Sequence, residues 1–69
     1  MTMERVESGN IREVGHDPAS NTLRIRFIHG GTYDYFGVPA EAHADLMAAA
    51  SKGQHFHQHI RGRYAHSTQ

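Results

Sequence analysis

The residues with the most chemical potential crowd the C-terminal third of the chain. His55-Phe56-His57-Gln58-His59 sets imidazoles at every second position. On a helix, His55 and His59 stand one turn apart and can share a metal ion. No glutamate follows His55 to act as the base of a zinc hydrolase, and Phe56 and Ile60 claim the core side of the same helix. A third ligand would have to come from His66 or elsewhere, so the expectation is surface histidines and no metal site.

Lys52, Arg61 and Arg63 surround those histidines, with Tyr64 beside them. Lys52 at the helix start and Arg61 at its end lie roughly 13 Å apart at 1.5 Å per residue. That span can bridge neighbouring phosphates. Equally, arginines suit a helix C-terminus, whose carbonyls carry a partial negative charge.

Arg24 and Arg26 alternate with Leu23, Ile25 and Phe27, and Tyr33-Asp34-Tyr35-Phe36 follows. Arginines beside an exposed aromatic can grip a phosphate backbone and stack a base. Alternatively, Arg26 pairs with Asp34 across a hairpin and only keeps that face solvated. Tyr33 and Tyr35 can stack nucleobases or pack beneath helices; the register argued below favours packing.

Nucleophilic catalysis finds no support. Ser51, Ser67 and Thr68 are the hydroxyls near histidines in sequence, and no carboxylate is placed to orient a base. Gly30-Gly31 sits at a hairpin tip and does not open a helix, which excludes a phosphate-cradling loop. The expectation is no enzyme and no cofactor.

These side chains need elements to hold them. Sixty-nine residues make one domain, with a core from about residue 6 to residue 64 and a frayed, disordered tail over 65–69. A chain this short removes about 60% of its unfolded surface on folding, so its core is marginal. With no cysteine, disulfides and thiolate metal sites are excluded. Seven Lys and Arg balance seven Asp and Glu, which counts against a purely electrostatic nucleic-acid binder. Seven histidines would make the chain cationic below about pH 6.5. No apolar run is long enough to span a bilayer, and the N-terminus lacks the layout of a secretion signal. A cytoplasmic location is expected.

The N-terminal half reads as strand and the C-terminal half as helix. Ile11 to His16 is a first strand, with a bulge near Glu13 to Gly15 to bring Ile11 and Val14 to one face. Asp17-Pro18-Ala19-Ser20-Asn21 is a turn. A three-residue loop His29-Gly30-Gly31 then sets Phe27 opposite Tyr33, Arg26 opposite Asp34 and Ile25 opposite Tyr35, with every apolar partner on one face. Pro39 starts a helix whose stripe is Ala42, Leu46 and Ala50; Ser51 caps a second, which Gly62 ends. The predicted fold is α+β, a three-stranded antiparallel β-meander followed by two C-terminal α-helices packed on one face of the sheet. A short N-terminal strand can extend the meander. Its predicted core is Val14, Leu23, Ile25, Phe27, Tyr33, Tyr35, Val38, Leu46, Phe56 and Ile60.

The order Ser8-x-x-Ile11, Gly15-x-Asp17, Leu23-x-Ile25-x-Phe27, Tyr33-x-Tyr35, Val38-Pro39, Ser51-x-Gly53, Phe56, Ile60, Gly62 and Tyr64 resembles the KTSC domain. That family is named for a module at the C-terminus of some lysyl-tRNA synthetases and also occurs as small bacterial proteins. The resemblance implies no catalytic residues and a link to RNA, tRNA included. His16 and His43 depart from it, standing where a tyrosine is common, and both keep a ring. The expected function is a binding module contacting RNA through Lys52, Arg61 and Arg63, aided by Arg24 and Arg26. The alternative is a protein-interaction module using the open sheet face, around Phe36, or an edge strand.

Overall fold

The computed structural model describes residues 1–69. In chain order the elements are β1 (Met3–Arg5), β2 (Ile11–Asp17), β3 (Thr22–Phe27), β4 (Thr32–Phe36), α1 (Ala40–Ala48), α2 (Lys52–His59) and β5 (His66–Thr68). One antiparallel sheet of five strands runs β1-β2-β3-β4-β5, rather than the three strands expected. β1 adds to the meander as the sequence allowed. The residues expected to fray instead form β5, which returns after both helices to pair with β4, setting Tyr35 opposite His66 and Tyr33 opposite Thr68. His66-Ser67-Thr68 carries no apolar alternation, so its strand state comes from that pairing and not from its own pattern.

The β3–β4 register differs from expectation by two residues. Arg24 faces Asp34, Ile25 faces Tyr33 and Arg26 faces Thr32. The connection is correspondingly longer, closed by Phe27 N–H donating to the Gly31 carbonyl at 2.9 Å, with Gly30 and Gly31 at φ of 131° and 86°. A shift of two preserves which side chains share a face, so the apolar set still points one way. It changes the charge partners. Arg24, not Arg26, binds Asp34, because Glu13 on β2 lies opposite Arg26 and takes it.

The bulge in β2 falls between Ile11 and Glu13, slightly before the expected place. It achieves the expected result: Ile11 and Val14 are both fully buried. In the following turn, Asp17 accepts from the Ala19 N–H at 3.0 Å and from the Ser20 hydroxyl at 3.1 Å. Asn21 adopts φ 53°, a left-handed position that its short polar side chain tolerates.

Both helices lie on the Val14–Ile25–Tyr35 face. Pro39 precedes α1 in extended conformation and its carbonyl accepts from Ala42 and His43. The Ser51 hydroxyl accepts from the Gln54 N–H at 3.3 Å and so caps α2. Ile11, Val14, Leu23, Ile25, Tyr35, Val38, Leu46, Phe56 and Ile60 form the core. Phe27 and Tyr33 pack against it half-buried instead of inside it. The Phe56 ring is central, meeting Phe27 and Tyr35 edge-on with centroids 5.4 Å apart in each case. Leaving a core side chain such as this exposed would cost about 1.5–3 kcal/mol.

Candidate nucleic-acid interface

The sheet separates the five candidate cations, Arg24, Arg26, Lys52, Arg61 and Arg63, into two groups with different surroundings. Arg24 and Arg26 project from the face that the helices leave open. There the Arg24 guanidinium clasps Asp34 through Nε at 2.7 Å and Nη2 at 2.9 Å. That two-pronged geometry suits a planar guanidinium and carboxylate. The carboxylate's hydrogen bond and charge hold the guanidinium pKa above its ordinary value. Arg26 reaches Glu13 at 2.9 Å. The open face is thereby internally neutralised around both arginines. Phe36 shares that face and is 43% exposed.

Lys52, Arg61 and Arg63 belong to the other group. Each makes a local contact, and none has a carboxylate within ion-pair distance. Lys52 Nζ donates to the Ala49 carbonyl at 3.1 Å, where it offsets the negative end of α1, whose last turn has no basic residue. Arg61 Nη1 points at His57 Nδ1 from 3.5 Å. Arg63 Nε donates to the Gln58 carbonyl at 3.2 Å. Arg61 and Arg63 flank Gly62, whose φ of 80° turns the chain out of the helix. Both are exposed. The structure therefore does not gather all five candidate cations on one surface. It leaves Lys52 at one end of α2 and the Arg61–Arg63 pair at the other.

One signal in the sequence accompanies this grouping. Asp45 is the last acidic residue, and from Leu46 to Gln69 the chain carries Lys52, Arg61, Arg63 and four histidines with no carboxylate side chain. Zero net charge conceals an acidic N-terminal part and a basic C-terminal part. A count of charge by segment would have found it. His57, His59 and His66 are exposed within this stretch.

The tyrosines offer no stacking platform. Tyr35 is buried, and His66 on β5 sits beside both rings, 5.4 Å from Tyr35 and 5.9 Å from Tyr33 between centroids. Burial, with Tyr33 second, raises the Tyr35 phenol pKa, against an opposing pull from Arg61. His55 and His59 face each other with centroids 4.5 Å apart, in a cleft shared with Asp45, Arg63 and Tyr64. Burial and then His59 push the His55 imidazole below its ordinary pKa, while Asp45 pulls the other way. No three His, Asp or Glu side chains converge there or elsewhere as a metal-ligand set. No helix is long and apolar enough to cross a membrane.

The chain is similar in fold and sequence to known proteins. A crystal structure of a KTSC domain protein from Yersinia pestis is similar with a TM-score of 0.97 and 38% identity, over 99% of this chain and 96% of that one. A protein of Tsukamurella paurometabola is 42% identical over 62 residues, covering 90% of this chain and 92% of its own. Lysine–tRNA ligase of Nostoc punctiforme is 40% identical over 58 residues, which are 84% of this chain and 10% of the ligase. The KTSC domain family model matches residues 7–64. This chain is a member of the KTSC domain family.

Proposed function

We propose that this chain is a non-catalytic binding module that contacts RNA through the surface of α2 and the turn after it. Lys52, Arg61 and Arg63 supply the phosphate contacts. The observation that carries this reading is the acid-free stretch after Asp45, with three cations that lack carboxylate partners. Unneutralised cations on an exposed surface release counterions when they meet a phosphate backbone, and that release drives binding. A lysine–tRNA ligase, an enzyme named for its tRNA substrate, carries a segment similar to this chain, which supports the same reading. Arg24 and Arg26 contribute less, because a phosphate would have to compete with Asp34 and Glu13. An RNA partner also implies a cytoplasmic location.

Fluorescence anisotropy with labelled tRNA and a short single-stranded RNA at pH 7.5, at two salt concentrations, tests the proposal. Saturable binding that weakens with salt is expected. Absence of binding at low salt would sink it.

A second reading rests on the open sheet face. Phe36 is exposed beside charges that are already paired, an apolar residue on a neutral face. Such a face suits a protein partner. Loss of a captured protein partner on Phe36→Ser, with RNA binding unaffected, would favour it.

A further inference from the structure

Two arginines stand outside both ion pairs and outside the α2 surface. Arg5 ends β1, and Arg12 is the residue that the β2 bulge drops from the ladder. In a regular strand Arg12 would share the core face with Val14, and Ile11 would point the other way. The bulge sends Ile11 inward and re-aims Arg12, a recognised use of such irregularities. Arg5 lies opposite Glu13 across the β1–β2 ladder, but Glu13 is held by Arg26. Neither Arg5 nor Arg12 therefore has an intramolecular carboxylate partner.

Both arginines line the same pocket, of about 320 Å³. Val6 and Ile28, both half-buried, give it apolar wall, and Glu7 is its one carboxylate. The Ser8 hydroxyl, which donates to Asn10 Oδ1 over a long 3.5 Å, stands at its side. The volume lies at the lower end of the range for small-molecule sites. Two guanidiniums and a hydroxyl beside apolar wall match a phosphate joined to a less polar group. The pocket also adjoins the start of α2. A Cβ at Gly53 would sit 2.6 Å from Asn10 Oδ1 and 3.7 Å from Ser8 Oγ.

We propose that this pocket binds a nucleotide phosphate, with the Arg5 and Arg12 guanidiniums donating to phosphate oxygens, the Ser8 hydroxyl turning from Asn10 to join them, and the nucleoside lying toward Val6 and Ile28. The nucleotide is either free or the terminal residue of an RNA strand. A free mononucleotide satisfies the site whether or not the α2 surface binds RNA. Glu7 opposes the anion and limits its affinity.

The test is a titration of the full-length ¹⁵N-labelled chain at low salt with AMP, with adenosine, and with a short RNA bearing either a 5′-phosphate or a 5′-hydroxyl. AMP should shift the amides of Ser8, Arg12 and Ile28 saturably, and adenosine should not. Arg12→Ala should weaken AMP binding at least about tenfold while the rest of the spectrum stays in place. Glu7→Gln should strengthen it, an effect that a damaged fold would not produce. Preference for the 5′-phosphorylated strand at these amides assigns the site to an RNA end; AMP binding without that preference assigns it to a free nucleotide. Arg61→Ala with Arg63→Ala should leave AMP binding unchanged, which separates this site from the α2 surface. No saturable shift with AMP, or wild-type AMP affinity in both Arg5→Ala and Arg12→Ala, overturns the proposal.

Discussion

The imidazole of His16 lies flat against that of His43, with centroids 5.0 Å apart and planes within 10° of parallel. His16 Nε2 is 2.7 Å from the Val38 carbonyl, which can only accept, so that nitrogen carries a proton. The pair ties β2 to α1 where the Val38-Pro39 segment enters the helix.

This stack makes stability depend on pH. Burial, then the neighbouring His16, pushes the His43 imidazole below its ordinary value, against a smaller pull from Glu4. Below about pH 6.5 the unfolded chain takes up a proton on His43 that the folded chain resists. The stabilisation is therefore complete above pH 6.5 and is lost as pH falls from there toward the folded value. His55 shifts in the same direction and adds to the loss. Thermal melts between pH 7.5 and 5.5 should show a falling melting temperature, with a shallower slope in His43→Gln. An identical slope in that variant would remove His43 as the cause.

The two ion pairs on the open face should prove unequal. Asp34 is buried and accepts two bonds from one guanidinium, whereas the Arg26 side chain is 50% exposed. Arg26→Gln is expected to change stability by no more than about 0.5 kcal/mol. Asp34→Asn should lower the melting temperature by more. Paired melts of the two variants decide it, and the reverse order would mean that Asp34 owes its place to something other than Arg24.

Tyr35 is a core residue. Tyr35→Ala should cost about 3–5 kcal/mol, enough to leave a domain of this size largely unfolded at room temperature. Tyr35→Phe keeps the edge-on contact with Phe56 and should remain folded. Circular dichroism melts of both check this, and a native-like melt for the alanine variant would contradict the packing.

RNA binding through the α2 surface carries a numerical signature. Removing two phosphate contacts with Arg61→Ala and Arg63→Ala should flatten the plot of log affinity against log salt by about 1.4 for a single strand. Binding should weaken across all sequences while the fold is kept. An unchanged slope moves the surface elsewhere.

What was legible in the chain followed its periodicities. Leu23, Ile25, Phe27, Tyr33 and Tyr35 announced one buried face because side chains alternate along a strand, and Phe56 and Ile60 marked the inner side of α2. The hairpin register was not legible, because a slip of two leaves that alternation intact and the deciding partner, Glu13, comes from a different strand. β5 was hidden for the reason already given: nothing in His66-Ser67-Thr68 prefers a strand until β4 is beside it. For the candidate site, Lys52, Arg61 and Arg63 could be named from the sequence. The neutralisation of Arg24 and Arg26 by Asp34 and Glu13 needed the sheet, and so did the release of Arg12 from its ladder.

The strand order also bears on how the chain folds. The first four strands neighbour one another in the order of synthesis, so each pairing closes a short loop at small entropic cost and can form quickly. β5 can dock only after the excursion through both helices. It is three residues long, exposed throughout, and paired on one side. Its amides should exchange with solvent at a far lower opening free energy than those of β3, which has neighbours on both sides. Detachment of β5 would uncover Tyr33 and Tyr35, giving the folded chain a low-lying open form confined to one edge of the sheet.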